Sequence, residues 1–389
     1  MFDIDECLRH LIQVEGSDLH LKVSLAPMVR VHGHLAAIEG QEPLGPEDTS
    51  EALRKMLQEP EKLEEFDREG EVDFAYAIAG LARFRVNAFR QRGSTSLVCR
   101  AIPFTIRSVA DLNLPAVITE LAEEERGIVL LTGTTGSGKS TTLAAMVDHI
   151  NQTRAKHIVT IEDPIEYLHR DKNSIINQRE VGLDTVSFQR ALRRVLRQDP
   201  DVILIGEMRD EETVHTALSA AETGHLVLST VHTVDATESI NRLLDFFPPH
   251  QQQQARAMIA GVLKGVVSQR LVPTVAGDGR VAVCEVLRMT GRVKDLITNP
   301  NETARLHEVI EEGEYYGMQT FDQALLGHLQ AGRISMETAM RTATHPHDFK
   351  LLVAADGRTA TSMDDLEDLE GRTAAMSGNG QNGVPSSTP

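Results

Sequence analysis

The glycine-rich stretch at residues 133–140 is the most specific chemical signal in this sequence. It reads Gly-Thr-Thr-Gly-Ser-Gly-Lys-Ser and fits the pattern G-x-x-x-x-G-K-[ST]. In such a loop, glycines let backbone N–H groups turn towards phosphate oxygens, the lysine places a positive charge against the β- and γ-phosphates, and the final hydroxyl suits Mg²⁺. An apolar run at 128–131 precedes the stretch and a helical pattern follows it, which is the context that phosphate binding requires.

The whole loop is expected to surround the phosphates of a nucleotide. The candidate nucleotide-binding residues are Gly133, Thr134, Thr135, Gly136, Ser137, Gly138, Lys139, Ser140 and Thr141. Ser140 is also a candidate Mg²⁺ ligand, because its hydroxyl stands directly after the lysine. The N-K-x-D sequence that usually accompanies guanine specificity does not occur, so we expect ATP and Mg²⁺.

Two carboxylates follow later apolar runs, at the strand ends where open α/β sheets place ligands. Glu166 lies shortly after the run that ends at 161, and Glu207 follows the run 202–205. Hydrolysis needs one carboxylate to position the hydration shell of Mg²⁺ and another to orient the attacking water. We predict the first role, acting on Mg²⁺ through water, for Glu207, a Walker-B-like position that holds Asp in many P-loop enzymes. We predict the second role for Glu166.

His225 and His232 stand at the two ends of the next apolar run. We predict that His232 senses or polarises the γ-phosphate. For His225 the sequence leaves two interpretations open, a catalytic residue or a histidine packed at the start of a strand. A metal site made by this pair is rejected, because the two residues are seven positions apart along one strand.

Arginines cluster in two regions and are candidates for contacts with phosphates or with a neighbouring subunit. The first region holds Arg83, Arg85, Arg90, Arg92 and Arg100, and the second holds Arg193, Arg194, Arg197 and Arg209. Alternating arginines on a strand present several cations on one side, although a single arginine is more often a solvated surface charge. A phosphate loop without a nearby arginine often obtains one from a neighbouring subunit.

Two domains and a tail are expected to position these residues. Alternating segments in 1–101 predict a small α/β domain, and the break near 102–110 predicts a linker. From 111 to 345 short apolar runs alternate with helical ones, which predicts a parallel sheet covered on both faces. Within that domain, residues 236–344 are expected to be mostly helical. The acidic and low-complexity stretch 346–389 predicts a disordered tail.

Composition limits the partners and the compartment. The 389-residue chain has 57 acidic and 39 basic residues and a formal net charge of −18, which opposes binding to nucleic acid. Cys7, Cys99 and Cys284 form no C-x-x-C pair and are expected to be reduced and buried. There is no secretory signal pattern and no apolar run near the ~18 residues needed to cross a bilayer. We therefore expect a cytoplasmic protein without direct membrane insertion.

Several strings together resemble the twitching-motility branch of the secretion ATPase superfamily, the type IV pilus retraction ATPases. In the core they are 132–142, 160–167, 206–210 and 220–225, and outside it they are 17–21, 27–31, 83–87, 268–271 and 317–320. The resemblance covers residues 1–345. It implies an α/β protein with a small PAS-like amino-terminal domain, flexibly joined to a RecA-like P-loop ATPase domain whose carboxyl-terminal part is helical.

The resemblance also implies a function, partners and residue roles. A homo-hexameric ring would use ATP hydrolysis to turn an inner-membrane platform protein and pull pilin subunits out of the filament, alongside other pilus ATPases. The ring would lie at the cytoplasmic face of the inner membrane. The family's Walker A lysine, catalytic glutamate, Walker B glutamate and two histidine-box residues fall on Lys139, Glu166, Glu207, His225 and His232. Arginines that reach the neighbour's nucleotide are implied among Arg83, Arg85, Arg90 and Arg100.

One motif departs from the family pattern. The A-I-R-N-L motif, which is tied to retraction, reads Arg292-Val293-Lys294-Asp295-Leu296 here. Lysine in place of arginine loses the planar fork, and aspartate in place of asparagine leaves only acceptors. We expect ATPase activity to survive this change, because the motif lies outside the nucleotide chemistry.

Other functions share the same core. Pilus assembly and type II secretion ATPases usually carry an extra amino-terminal domain and a four-cysteine zinc element, and this sequence shows neither. A DNA or RNA translocase is opposed by the net charge of −18. A non-hydrolysing scaffold is opposed by the presence of Lys139, Glu166 and Glu207.

Overall fold

The computed structural model describes residues 2–31, 33–102, 105–277 and 279–358. These residues form two compact units. The first unit runs to Ile106 and also includes Pro164–Asp171, and the second comprises Arg107–Asp163 and the chain from Lys172 onward. The division after Ile106 falls inside the predicted linker 102–110. The inclusion of Pro164–Asp171 in the first unit was not anticipated from the sequence.

The first unit consists of an antiparallel sheet and three helices. Its strands are β1 (Asp18–Leu21), β2 (Met28–Val31), β3 (His34–Ala37), β4 (Glu71–Ile78), β5 (Ala82–Gln91) and β6 (Ser94–Ile102). Their order in the sheet is β3-β2-β1-β6-β5-β4. The helices are α1 (Ile4–Gln13), α2 (Pro46–Met56) and α3 (Pro60–Glu69). The polar stretch that contains α2 and α3 forms two helices because Pro60 lacks a backbone N–H and starts a new one.

Alternation along β5 explains the two faces of this sheet. Phe84, Val86 and Ala88 point into the core of the unit, whereas Arg85 lies on the opposite, exposed face. A period of two therefore places Arg83 and Arg85 away from the core, whereas Arg90, at the end of the strand, lies on the core side over the Phe66 ring.

The second unit is built on a seven-stranded mixed sheet. Its strands are β7 (Gly127–Thr132), β8 (His157–Glu162), β9 (Ile175–Glu180), β10 (Val202–Ile205), β11 (Leu226–Val231), β12 (Leu263–Pro273) and β13 (Arg280–Arg288), in the order β13-β12-β7-β11-β10-β8-β9. All neighbouring strands are parallel except β12 and β13. The helices are α4 (Val117–Ala122), α5 (Lys139–Thr153), α6 (Phe188–Val195), α7 (Glu211–Glu222), α8 (Ala236–Asp245), α9 (Gln252–Val262), α10 (Gly291–Thr298), α11 (Leu306–Glu311), α12 (Phe321–Gln330), α13 (Met336–Thr342) and α14 (Pro346–Arg358).

The central strands of this sheet are buried on both faces. On β7, Ile128 and Leu130 belong to one apolar cluster, and Val129 and Leu131 belong to another. Successive side chains of a strand point to opposite faces, so each face has its own covering layer of helices. The predicted parallel sheet with two covered faces is present.

The prediction that 236–344 is mostly helical is wrong in one part. Strands β12 and β13 lie inside this segment and extend the sheet at one edge. Most of their side chains are buried on both faces, so the alternation that marks a half-exposed strand does not appear in the sequence.

The predicted start of the disordered tail at 346 is also wrong. Helix α14 runs from Pro346 to Arg358, and Phe349 is 1 % exposed in an apolar cluster with Phe321 and Leu325. Because this helix buries an aromatic ring, the ordered chain extends beyond the predicted boundary. The remaining part of the predicted tail, 359–389, lies outside the described residues.

All three cysteines are buried and unpaired, as predicted. Burial raises the pKa of Cys7 and of Cys284 to about 12, and it also raises the pKa of Cys99. These thiols therefore stay protonated at neutral pH and behave as small apolar groups.

The helices in the described part of the chain are too short and too polar to cross a bilayer. The longest, α5, has 15 residues, whereas a transmembrane helix needs about 20 predominantly apolar ones.

Helix α14 offers a matched pair of substitutions. Phe349→Ala is expected to cost about 3–5 kcal/mol, because it removes a buried ring and leaves a cavity. Leu351→Ala, on the same helix at 58 % exposure, is expected to cost less than about 0.5 kcal/mol. Thermal unfolding of the full chain, followed by circular dichroism, measures both. Equal shifts of the two midpoints would show that α14 contributes nothing to the core.

Candidate active site

The parallel strands of the second unit bring four loops to one edge of the sheet. Thr132 pairs with Val231, and Ile205 pairs with both Ser229 and Ile161. The carboxyl ends of β7, β11, β10 and β8 are therefore neighbours. Open α/β sheets bind their ligands at this edge.

The glycines of residues 133–140 adopt conformations that other residues rarely reach. Gly133, Gly136 and Gly138 have φ angles of 140°, 79° and 91°. A Cβ on Gly133 would lie 2.4 Å from the backbone oxygen of Gln269, and one on Gly138 would lie 2.7 Å from the Gln269 side chain. Both the backbone angle and the neighbouring strand β12 therefore require glycine at 133 and 138.

Lys139 points into the loop that precedes it. Its Nζ donates hydrogen bonds to the carbonyl oxygens of Gly133 at 2.7 Å and Thr134 at 3.0 Å, and the residue is only 8 % exposed. The same residue begins α5, so the amino-terminal end of the helix dipole adds to the positive field. This arrangement favours a bound anion.

Strand β12 packs beside the phosphate loop and is hydrogen-bonded to the strand and the helix that flank it. Thr142, on the first turn of α5, donates from Oγ1 to Gln269 Oε1 at 2.8 Å. Thr132, at the end of β7, donates from Oγ1 to Ser268 Oγ at 2.9 Å. In the sequence, Ser268 and Gln269 belong to a string that resembles the family, but nothing in their local pattern reveals that they lie beside the loop.

One hydroxyl in the loop lacks a hydrogen-bond partner within the described part of the chain. The Oγ of Ser137 is buried and makes no hydrogen bond there. A buried hydroxyl without a partner is costly, and a phosphate oxygen is a strong acceptor for the hydrogen bond that it can donate. Ser140, one residue after Lys139, is half-buried on the first turn of α5.

Glu207 forms the acidic centre of this edge. It is 9 % exposed, and its Oε1 forms an ion pair with Nη2 of Arg209 at a distance of 2.6 Å. Its Oε2 lies 3.5 Å from Nε2 of His232, so the structure brings these two predicted residues together. Arg209, predicted as a phosphate- or subunit-directed cation, instead neutralises this carboxylate within the subunit.

Glu162 is an acidic residue at the same edge that sequence reasoning did not single out. It ends β8, and its Oε1 accepts hydrogen bonds from Thr160 at 2.7 Å and Gln178 at 3.2 Å. The Cα of Glu162 lies 3.4 Å from a Cβ built on Gly206, one residue before Glu207. The sequence contained the signal, an acid at the end of an apolar run, but the assignment went to Glu166 in the same cluster.

Glu166 lies in the segment Pro164–Asp171, which groups with the first unit. Its side chain is exposed. Its assignment as the catalytic glutamate stays a prediction.

The catalytic role predicted for His225 is contradicted by its place in the sheet. Its carbonyl oxygen accepts from Gly127 N, at the amino end of β7, whereas the phosphate loop follows the carboxyl end. A strand of this length spans about 20 Å, so His225 is at the opposite edge of the sheet from Lys139. Its Nδ1 lies 2.9 Å from the Ala220 carbonyl, which supports the alternative of a histidine packed at a strand start.

The amino-terminal arginines lie on the sheet of the first unit. Arg85 and Arg100 stand opposite each other on β5 and β6, and Arg100 Nε donates to Asp18 Oδ1 at 2.8 Å. Arg90 pairs with Asp67 at 3.0 Å. Arg83 is on β5, two residues before Arg85. Their predicted contact with a neighbour's nucleotide stays a prediction.

A cavity of about 650 Å³ opens beside the phosphate loop within the second unit. Its lining includes Gly138, Thr141, Gln269, Leu271, Arg280 and Arg333. The volume is in the range of small-molecule sites. It adjoins the loop, so a nucleoside attached to phosphates held there fits this space.

The close approach of β12 gives a test of the loop. Gly133→Ala is expected to weaken the binding of a fluorescent ATP analogue about tenfold or more, because its Cβ would displace Gln269 from below the loop. Gly182→Ala carries a similar backbone strain, with φ at 88°, but its Cβ meets no atom within 4 Å. That control is expected to bind the analogue normally. Equal weakening in both variants would refute the role assigned to β12.

Comparisons with known proteins agree with the fold and with the site. A family model described as type II/IV secretion system protein matches residues 82–341. The type IV pilus retraction ATPase PilT of Pseudomonas aeruginosa is 43 % identical over 89 % of this chain and 100 % of its own length. The type IV pilus ATPase PilU of the same organism is 41 % identical over 90 % of this chain and 91 % of its own length.

A solved structure extends this similarity to the tertiary level. The crystal structure of the pilus retraction motor PilT with bound ADP matches with a TM-score of 0.83 and 42 % identity, covering 90 % of this chain and 99 % of that one. The predicted fold class, a small PAS-like domain followed by a RecA-like ATPase domain, is thereby confirmed, with the two strands β12 and β13 added to its carboxyl-terminal part. The chain belongs to the type II/IV secretion system protein family and, within it, to the branch of the pilus retraction ATPases.

Proposed function

We propose that this chain is a motor ATPase that hydrolyses ATP to drive the retraction of type IV pili. The observation that carries the proposal is the common sheet edge that holds Lys139 in its glycine loop and the Glu207–His232 pair. The similarity to PilT along the whole length of that protein supports retraction as the purpose of the hydrolysis.

Each of the proposed residues has a separate role in hydrolysis. Backbone N–H groups of the loop and the Lys139 ammonium bind the phosphate oxygens and offset the charge that develops on the γ-phosphoryl group. His232 is half-exposed beside Glu207, where it can donate a hydrogen bond to the γ-phosphate. Glu166 orients the attacking water and accepts its proton. The cavity beside Gly138 receives the adenosine.

The site also fits Mg²⁺. The Ser140 hydroxyl and the Glu207 carboxylate are oxygen donors, which this hard cation prefers, and few protein ligands are needed because phosphates and waters complete the shell. When bound, the ion would neutralise charge on the β- and γ-phosphates. Glu207 would hold its hydration shell, and Arg209 and His232 keep this carboxylate oriented.

The proposed assembly is a homo-hexamer at the cytoplasmic face of the inner membrane. There it acts on a platform protein of the pilus, together with other pilus ATPases. Arginines of the first unit (Arg83, Arg85, Arg90 and Arg100) complete the neighbour's nucleotide site in this proposal. The strand positions of Arg83, Arg85 and Arg100 present these three residues on the face opposite the core of that unit, which supports an intersubunit role, whereas Arg90 lies on the core side over the Phe66 ring.

The altered retraction motif forms part of α10. Val293 and Leu296 are buried and keep the helix in place, whereas Lys294 and Asp295 are exposed. The lysine and the aspartate that replace the family's arginine and asparagine therefore lie on the surface, where they affect partners rather than ATP chemistry.

An accessory pilus ATPase is a second candidate, because PilU is almost as similar as PilT. Expression of this chain in Pseudomonas aeruginosa strains lacking either protein tests the function. Restored twitching in the strain without PilT supports the proposed retraction motor. Restoration only in the strain without PilU supports the accessory role, and restoration in neither, with ATPase activity present, would contradict both.

The role of Glu207 predicts a defect that depends on magnesium. Glu207→Gln is expected to lower ATP turnover about 100-fold or more and to raise the Mg²⁺ concentration needed for half-maximal activity, because a neutral amide holds hydrated Mg²⁺ weakly. Glu222→Gln, an exposed residue at the end of α7, is the matched control and is expected to behave like the unmodified chain. Unchanged turnover and Mg²⁺ dependence in Glu207→Gln would remove the Walker B assignment.

The role of Glu166 predicts a different defect. Glu166→Gln is expected to lower turnover about 100-fold, because the attacking water loses its base, while the affinity for a fluorescent ATP analogue and the Mg²⁺ dependence of binding stay the same. Lys139→Ala, by contrast, is expected to weaken that affinity as well. If Glu166→Gln hydrolysed ATP normally, the catalytic carboxylate would have to be sought elsewhere, with Glu162 the first candidate.

A further inference from the structure

A buried carboxylate, Glu285, stands on β13 away from the residues assigned to hydrolysis. It is 4 % exposed and its Oε1 accepts from the backbone N–H of Ala236 at 2.8 Å. Ala236 is the first residue of α8, the helix that follows the loop carrying His232. An ionisable group buried at this depth costs stability, so its presence points to a function in positioning.

Glu285 belongs to a row of residues that crosses the sheet. Val231 pairs with Thr132, Thr132 with Ser268, and Ser268 with Glu285, on β11, β7, β12 and β13 in turn. Thr132 donates to Ser268 at 2.9 Å, and Ser268 stands directly opposite Glu285 in the pairing of β12 with β13. The row therefore connects the strand that precedes the phosphate loop with the buried carboxylate.

The loop that carries His232 runs over the end of this row. It leaves β11 at Val231 and reaches Glu285 through Ala236, passing the ends of two intervening strands. Only residues 232–235 separate β11 from α8, so the connection is short. Because Glu285 holds the far end of this connection at Ala236, it restricts where His232 can lie.

The amino-terminal turn of α8 is hydrogen-bonded to the loop that carries His232. Val234 N donates to Glu238 Oε2 at 3.0 Å, and Glu238 N donates to Asp235 Oδ1 at 2.7 Å. Thr233 Oγ1 lies 2.6 Å from Ser239 Oγ, and both residues are buried. The loop residues after His232 are thus bound to the first turn of α8, which Glu285 in turn holds.

The pKa of Glu285 is raised to about 7, chiefly because the carboxyl group is buried; the Ala236 N–H, Arg270 and Ser268 lower the pKa, and the nearby Asp235 carboxylate raises it. The partners therefore favour the ionised form against the low polarity of the site. An apolar residue of the same size would avoid this conflict, which again favours a positioning role over a purely structural one.

We propose that Glu285 is a positioning residue, which fixes His232 against Glu207 by anchoring the start of α8 and joins that anchor to the phosphate-loop strand through Ser268 and Thr132. The inference rests on the proposed function, because it assigns His232 to the hydrolysis step. The inference adds to the site a residue from β13, the outermost strand on one side of the sheet.

A double-mutant cycle on the full chain tests the inference. Glu285→Leu is expected to lower kcat about tenfold with KM for ATP changed less than about threefold, because the loss concerns orientation and not nucleotide binding. In a His232→Ala background the same substitution is expected to change kcat less than about twofold, since the residue it positions is already gone. Glu285→Gln keeps an oxygen for the Ala236 N–H and is expected to retain at least about a third of kcat.

The controls separate this inference from the proposed function. The affinity for a fluorescent ATP analogue and the thermal midpoint of each variant show whether the fold is intact. If Glu285→Leu does not fold, Glu285→Ala in both backgrounds serves the cycle, with the same expected losses. The same fold-loss with and without His232, or no loss at all, would overturn the inference while leaving the ATPase assignment in place. A lack of ATP turnover in the unmodified chain would refute the proposed function and the inference together.

Discussion

The parallel alignment of β7, β11, β10 and β8 is the constraint on which the proposed chemistry depends. It places the ends of four strands side by side, so that a lysine, a glutamate and a histidine from separate loops share one edge. The same constraint excludes His225, which is on the same strand as His232 but at the other end. In a sheet of this kind, the direction of a strand decides whether a residue next to it can take part in hydrolysis.

The glycine pattern of the phosphate loop has a second physical cause besides phosphate binding. Strand β12 lies so close below the loop that a Cβ at Gly133 or Gly138 would meet Gln269. Gln269 in turn binds Thr142 on α5, so strand, loop and helix form one rigid support. Rigid support matters because donors that are already in place stabilise the transition state without reorganising during the reaction.

The buried charged residues of the second unit each have a partner that offsets the free-energy cost of their burial. Lys139 donates to two loop carbonyls, Glu207 pairs with Arg209, and Glu285 accepts from a backbone N–H. Burying each of these groups without partners would cost several kcal/mol. The specific partners offset this cost, and they also fix the direction in which each charge points.

The sequence by itself predicts much of the fold and of the phosphate site. The phosphate loop, the acid after the 202–205 run and the alternation of strands and helices are local patterns, and the family and the fold class inferred from them are confirmed. Local patterns survive in the sequence because adjacent residues build the turn, the strand end and the first turn of the helix together. The misjudged features are of another kind: two strands buried on both faces show no alternation, and one buried ring extends the ordered chain into α14.

The supports of the site arise from pairing between distant segments. Thr132 and Ser268 are 136 positions apart, and Ala236 and Glu285 are 49 apart, yet each pair shares a hydrogen bond. No local period records such a pairing, because it is produced by the order of strands in the sheet and by the path of the chain across its edge. The local sequence therefore determines the phosphate-binding loop, whereas the tertiary pairing of strands determines which distant side chains hold that loop in place.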